Sequence, residues 1–213
     1  TLFPDTTLFR SVGQFVFMSS AIVYGDSAPY RTSKRITVDT QPSPANFYGD
    51  SKWQADKGVR ELGADDFIVT VLRPPMIYGK GSKGNYPTLS RMAKKLPIFP
   101  DVENERSMLY IENLCEFLCQ VMMKGSGGVF FPQNGEYSST SEIVREISRV
   151  HKKRMIITRL LNPAVRIAKR IPGKIGGMAQ KAFGDSWYEM SMSTYDFNYQ
   201  KYTLKDSIRR TEG

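Results

Sequence analysis

The chain has 213 residues, 40% of them hydrophobic and 24% charged, which is ordinary globular composition and excludes a disordered, collagen-like or low-complexity chain. No stretch reaches the ~18 consecutive apolar residues of a membrane span, and Cys115 and Cys119 have no second pair or nearby histidine with which to build a disulfide framework or a zinc site. The net charge of +9 is concentrated: residues 145–181 hold eleven Lys and Arg against the single acid Glu146, so the rest of the chain is close to neutral. Such a segment is a solvated basic face, or it meets an anionic membrane or a phosphate. No helix-turn-helix, zinc-finger or aromatic RNA-binding pattern accompanies it, so nucleic acid is not the expected partner. A reducing, cytoplasmic setting fits the cysteine usage.

Residues 1–11 (TLFPDTTLFRS) have no strand or helix period and join abruptly to a strand. They resemble the translation of a short sequencing adapter and are expected to be non-native. Gln14–Ser19 reads as a short buried strand of β-branched and aromatic residues. Asp26–Pro44 is polar, contains Pro29, Pro42 and Pro44, and reads as a loop. A helix is expected from Asn46 to Leu62, stopped by Gly63. Phe67–Leu72 is a second buried strand, ended by Pro74 and Pro75. Gly79–Gly84 reads as a mobile loop over a substrate, because it lacks the Walker phosphate-binding pattern. Thr88–Lys95 is a short helix. Ile111, Leu114, Cys115, Leu118 and Met122 fall at helical spacing and predict one apolar, core-facing stripe that includes both cysteines.

Gly128–Phe131 is a third strand. Ser139 with Glu142 predicts a capping box opening a helix through Val150. Met155–Leu160 reads as another strand and Pro163–Arg170 as a short amphipathic helix among basic residues. The only histidine, His151, reads as a surface or helix-end residue, and Trp53 as packing. Strands alternating with helices predict an α/β fold with a mostly parallel sheet, the scaffold on which nucleotide sites form at strand C-terminal ends.

Three pieces carry chemistry. Ser19-Ser20-Ala21-Ile22-Val23-Tyr24-Gly25 directly follows a strand, Tyr48-Gly-Asp-Ser-Lys52 lies in a helix, and Leu72-Arg73-Pro74-Pro75-Met76-Ile77-Tyr78-Gly79 ends the next strand. On a helix Tyr48 and Lys52 share one face. A free phenol, with a pKa of ~10, is a poor base at neutral pH, and a nearby ammonium favours its phenolate. Tyr48 can then exchange a proton with a substrate hydroxyl while that carbon gives up hydride. Ser20 can hydrogen-bond the same oxygen and share its developing charge.

This ordered set resembles the extended short-chain dehydrogenase/reductase family, and within it the NAD-dependent nucleotide-sugar epimerases and dehydratases. The resemblance covers about residues 14–131 well and the remainder loosely. It implies a Rossmann-like cofactor domain with a smaller C-terminal substrate domain: residues 12–80 as the end of the cofactor domain, and 81–213 as mainly the substrate domain, with 106–131 returning to the first. It implies Ser20, Tyr48 and Lys52 as the catalytic set. All three would also meet NAD or NADP, Lys52 at the nicotinamide ribose, with Pro75 against the nicotinamide. It places Arg106 at the diphosphate of a nucleotide-diphosphate sugar, which a planar guanidinium suits, with a surface ion pair to Glu103 or Glu105 as the competing reading. Asn85 is a second candidate for that diphosphate. A homodimer is also implied.

The family opens with a Gly-rich phosphate loop that this sequence lacks before Gln14. The chain is therefore expected to start at about the family's fifth strand and to be inactive alone. Family dehydratases carry Thr-Asp-Glu where this chain has Ser20-Ala21-Ile22, which points away from dehydration. Many family epimerases carry an Asn where Met76 stands, and a later Arg-x-Gly-Asp segment that is absent here. Sugar 4-epimerisation for surface polysaccharide is the expected reaction. The alternatives are reduction of a nucleotide sugar, and a non-catalytic dinucleotide-binding module whose basic segment contacts membrane or RNA.

Overall fold

The computed structural model describes residues 12–27, 33–168, 170–171 and 173–213. Residues 1–11, expected to be non-native, lie outside them. β1 (Gln14–Met18) runs parallel to β3 (Ile68–Leu72), with Gln14 opposite Ile68 and Met18 opposite Leu72, and β3 runs parallel to β7 (Gly128–Phe130). These are the three strands expected from the β-branched and aromatic runs. All named strand pairs are parallel, so the α/β parallel-sheet reading holds.

Helix α1 (Phe47–Arg60) follows Asn46, whose Oδ1 accepts the Gly49 amide at 2.9 Å and satisfies one open donor of the first turn. Helix α3 (Ile111–Lys124) ends on Gly125, which at φ 57° takes the left-handed conformation that closes a helix without a Cβ penalty. Leu72, Leu109, Leu114, Phe117, Val121 and Tyr199 form the core of this lobe. The stripe expected on α3 is corrected. Its buried residues are Asn113, Leu114, Phe117 and Val121, whereas Cys115, Cys119, Ile111 and Met122 are exposed. Phe117 and Val121, one turn apart, fill the core, and this turns the cysteine side outward.

A second core gathers Tyr78, Leu89, Ala93, Phe99, Ile143, Ile147 and Ile208. It is built from β4 (Met76–Tyr78) paired with β6 (Met108–Tyr110), and β5 (Ile98–Pro100) paired with β8 (Ile156–Thr158). The helices α2 (Tyr86–Lys95), α4 (Thr140–Val150) and the C-terminal α7 (Leu204–Glu212) pack on it. The predicted cap of α4 is present: Ser139 Oγ accepts the Glu142 amide at 3.0 Å. The strand expected over Met155–Leu160 is shorter, because Thr158 Oγ1 accepts the Leu160 amide and turns Arg159–Leu161 into a 3-10 turn. Next in the chain come α5 (Asn162–Ala168) and α6 (Lys174–Phe183). The expected 26–44 loop contains β2 (Arg35–Ile36), whose partner β9 (Trp187–Tyr188) is more than 150 residues away. Such a distant pairing leaves no local pattern to read.

Candidate active site

The site begins where β1 ends. The Ser19 amide donates to Leu72 O at 2.8 Å and the Ala21 amide to Pro74 O at 2.9 Å, so Ser20 is clamped between two ties to the end of β3. Ser20 Oγ accepts the Ile22 amide at 3.3 Å and caps the 3-10 turn Ala21–Tyr24. Helix α1 arrives against this turn at Gly49. A Cβ there would lie 3.0 Å from Ile22 O and 3.2 Å from Pro44 Cβ, so only glycine permits the approach without displacement. Tyr48, next in sequence, is 58% exposed, and its hydroxyl makes no hydrogen bond among the described residues. One turn on, Lys52 Nζ donates to Met18 O at 3.0 Å and sits 5.3 Å from the Phe17 ring centroid. The helix thus presents a phenol and an ammonium beside the C-terminal end of β1.

Ser20, Pro75, Asn85 and Arg106 line one cleft of about 290 Å3, together with Met76 and Ser107. Four of the six sequence-selected residues therefore meet in one cavity. Tyr48 and Lys52 are not part of its lining and approach from α1, and the Gly79–Gly84 loop does not line it either. Asn85 stands just before α2 and makes no side-chain cap bond. Arg106 is buried, and its Nη1 donates to Ala182 O at 3.0 Å. Burial pushes its guanidinium pKa down, and Asp185 pulls partly the other way. Of the two acids weighed as its surface partners, Glu103 pairs with Arg159 at 2.7 Å, and the Glu105 backbone amide donates to Asp185 Oδ1 at 2.7 Å.

Beneath the site lies a buried network that sequence reading missed. Arg73 grips Asp56 with two bonds of 2.8 Å and donates to Tyr24 Oη at 2.7 Å. Its backbone carbonyl accepts the Tyr188 hydroxyl at 2.8 Å. Burial raises the Asp56 carboxyl, but the bonds and charge of Arg73, with Arg60 Nε donating at 3.0 Å, outweigh it and hold the pKa below the usual value. The Trp53 ring lies 5.2 Å from the Arg73 guanidinium, in keeping with its packing role. Asp56 follows Lys52 by four on the same helix face, but nothing local in the sequence marks that Asp as buried. His151 lies at the end of α4 and pairs with Glu212 at 2.8 Å, as its helix-end reading requires.

A sequence model of the NAD dependent epimerase/dehydratase family matches residues 6–131, more than half of the chain. The UDP-glucose 4-epimerase of Vibrio cholerae is 33% identical over 147 residues, which cover 64% of this chain and 43% of that protein. The N-acetyl-alpha-D-glucosaminyl-diphospho-ditrans,octacis-undecaprenol 4-epimerase of Escherichia coli O157:H7 is 34% identical over 115 residues, 51% of this chain and 33% of its own length. The chain thus spans less than half of either curated relative. Among solved structures, the UDP-glucuronic acid 4-epimerase of Bacillus cereus in complex with NAD superposes with a TM-score of 0.66 at 16% identity, over 93% of this chain and 58% of that one. That likeness speaks for the fold alone.

Proposed function

This chain belongs to the NAD dependent epimerase/dehydratase family, and from that premise we propose that it carries the reacting end of a sugar 4-epimerase acting on a diphosphate-linked sugar for surface polysaccharide. The observation that carries the reading is the shared cleft: Ser20 and Pro75 meet the buried Arg106 and Asn85 in one cavity, beside the helix that bears Tyr48 and Lys52. Both curated relatives are named as 4-epimerases; one name has a nucleotide on the diphosphate and the other undecaprenol.

The residues fit the nicotinamide end of NAD or NADP. Lys52 Nζ uses one donor on Met18 O and keeps two for ribose hydroxyls, and Pro75 offers a flat apolar wall. The cofactor, when bound, takes and returns hydride at the sugar carbon. Tyr48 Oη, in this reading, receives the proton of the sugar 4-hydroxyl as hydride departs. Ser20 Oγ donates to the same oxygen as it becomes a carbonyl. Arg106 and Asn85 hold the diphosphate while the keto-sugar turns its other face. Tyr48 then returns the proton as hydride comes back, so atoms and redox state balance over the cycle. Lys52 stands one turn from Tyr48 on α1, its Nζ held at the end of β1 by Met18 O. Ala21-Ile22 offers no acid pair for removing water, which weighs against dehydration.

In the full-length gene product, Tyr48→Phe should reduce turnover by a factor on the order of 10^2–10^4 while sparing binding of the diphosphate-linked sugar. Turnover at the parent rate would overturn the mechanism. The reductase alternative is separated by cofactor balance, since an epimerase consumes no net NAD(P)H.

A further inference from the structure

The cleft does not end at Arg106. Behind it opens a second cavity of about 220 Å3 that shares Met76, Asn85 and Arg106 with the first. Its far wall is apolar, made by Leu89 and Met92 of α2, Ile143 of α4, and Ala179, Ala182 and Phe183 of α6. Thr88 is the single polar side chain added there. A nucleobase presents a row of donors and acceptors that must be met once it is buried, and this wall meets almost none. A diphosphate held at Arg106 and Asn85 would therefore face the Ser20 cleft on one side and a hydrocarbon-lined hole on the other.

The helix that closes this hole also leads to the surface. α5 packs against α6. On α5 and the flanking turns, Leu160 is 87% exposed, Ile167 is 62% exposed, and Ile171 is also exposed. Arg159, Arg166 and Arg170 share the same stretch. Part of the basic charge of 145–181 is already neutralised: Arg159 pairs with Glu103, Arg149 with Glu146, and Arg145 with Asp101. Arg166 has no acidic partner among the described residues. Apolar side chains standing out of a basic surface suit the headgroup–acyl boundary of an anionic bilayer, where both kinds of group are satisfied.

We propose that the diphosphate of the substrate is carried by a polyprenyl lipid, whose first isoprene units occupy the apolar cavity behind Arg106 while the Arg159–Ile171 face rests on an anionic bilayer. The proposal rests on the epimerase reading above and names the carrier for it.

The test uses the full-length protein. Glucose and N-acetylglucosamine are each supplied on undecaprenyl diphosphate in phosphatidylcholine–phosphatidylglycerol vesicles, and on UDP in solution, and 4-epimerisation is followed. Expected is a kcat/KM at least about tenfold higher on the lipid carrier. Equal or faster turnover on UDP overturns the lipid carrier and leaves the epimerase reading standing. No epimerisation of any of the four overturns both. A Leu160→Glu/Ile167→Glu double variant tests the surface separately. Both positions are exposed, so the parent thermal midpoint should be kept while co-sedimentation with these vesicles falls by about tenfold or more. Vesicle binding at the parent level would overturn the proposal.

Discussion

At the scale of single residues, the site depends on a charge pair that touches no substrate in the proposed mechanism. Asp56 is fully buried, and Arg73 meets it with two bonds while also holding Tyr24 and, through its backbone, Tyr188. These contacts join the turn after β1, helix α1, the end of β3 and β9, the elements around Ser20. Removing one member of a buried pair leaves the other charged and unmatched, which costs about 3–5 kcal/mol. Asp56→Ala should lose about that much in urea unfolding at neutral pH. Because the folded-state pKa of Asp56 lies below its ordinary value, its stabilisation is fully present above about pH 4 and is lost as the pH falls further. The deficit of the variant should therefore shrink in that acid range. A deficit independent of pH would mean that packing, not charge, is what the substitution removed.

At the scale of elements, the first turn of α1 sets how close Tyr48 comes to Ser20. Asn46 starts the helix and Gly49 lets it touch Ile22 O. In Gly49→Ala the new methyl meets backbone, which cannot rotate away, so the helix must shift by a few tenths of an ångström. The gain of ~1 kcal/mol in helix propensity offsets much of that strain. The expected result is a urea midpoint near that of the parent with a clearly lower kcat in the full-length enzyme; an unchanged kcat would show that the helix position is not limiting. β1, β3, β7, part of β8 and the start of α1 were legible because their signals are local, β-branched runs and an Asn cap. α1 ends at Arg60, short of the expected Gly63 stop, and β4, β5 and β6, three residues each, were not read as strands. β2 and β9 were not, because each is two residues long and exists only through the other. The α3 stripe was misread for a related reason. Two apolar arcs run along that helix, and tertiary packing on Phe117, not composition, decides which one faces inward. At the site, Ser20, Pro75, Asn85 and Arg106 could be selected from motifs, but Asp56 could not, since a lone Asp on a helix reads as solvated until its depth is known.

At the scale of the whole molecule, the second lobe is closed by its last helix, and one carboxylate ties that closure together. Glu212 is almost fully buried at the end of α7, where it receives Lys94 of α2 at 2.7 Å and His151 from the end of α4 at 2.8 Å. Leu204 and Ile208 of the same helix enter the core with Ile143 and Ile147. The helices that this helix clamps, α2 and α4, also wall the apolar cavity behind Arg106, so its docking bears on the shape of the site. Burial raises the Glu212 carboxyl, but the hydrogen bonds from Lys94, His151 and Ser90 outweigh it and leave the pKa lowered. A carboxylate with a lowered folded pKa stabilises above its unfolded value, ~4.3, and loses that contribution as the pH falls through the folded value. Glu212→Gln keeps the shape and removes the charge. It should destabilise the protein by about 1–3 kcal/mol at pH 7, and its thermal midpoint should converge on that of the parent below about pH 4. A midpoint equal to the parent's at pH 7 would mean that α7 is held by Leu204 and Ile208 alone, and that the ionic clamp contributes nothing to closing the lobe.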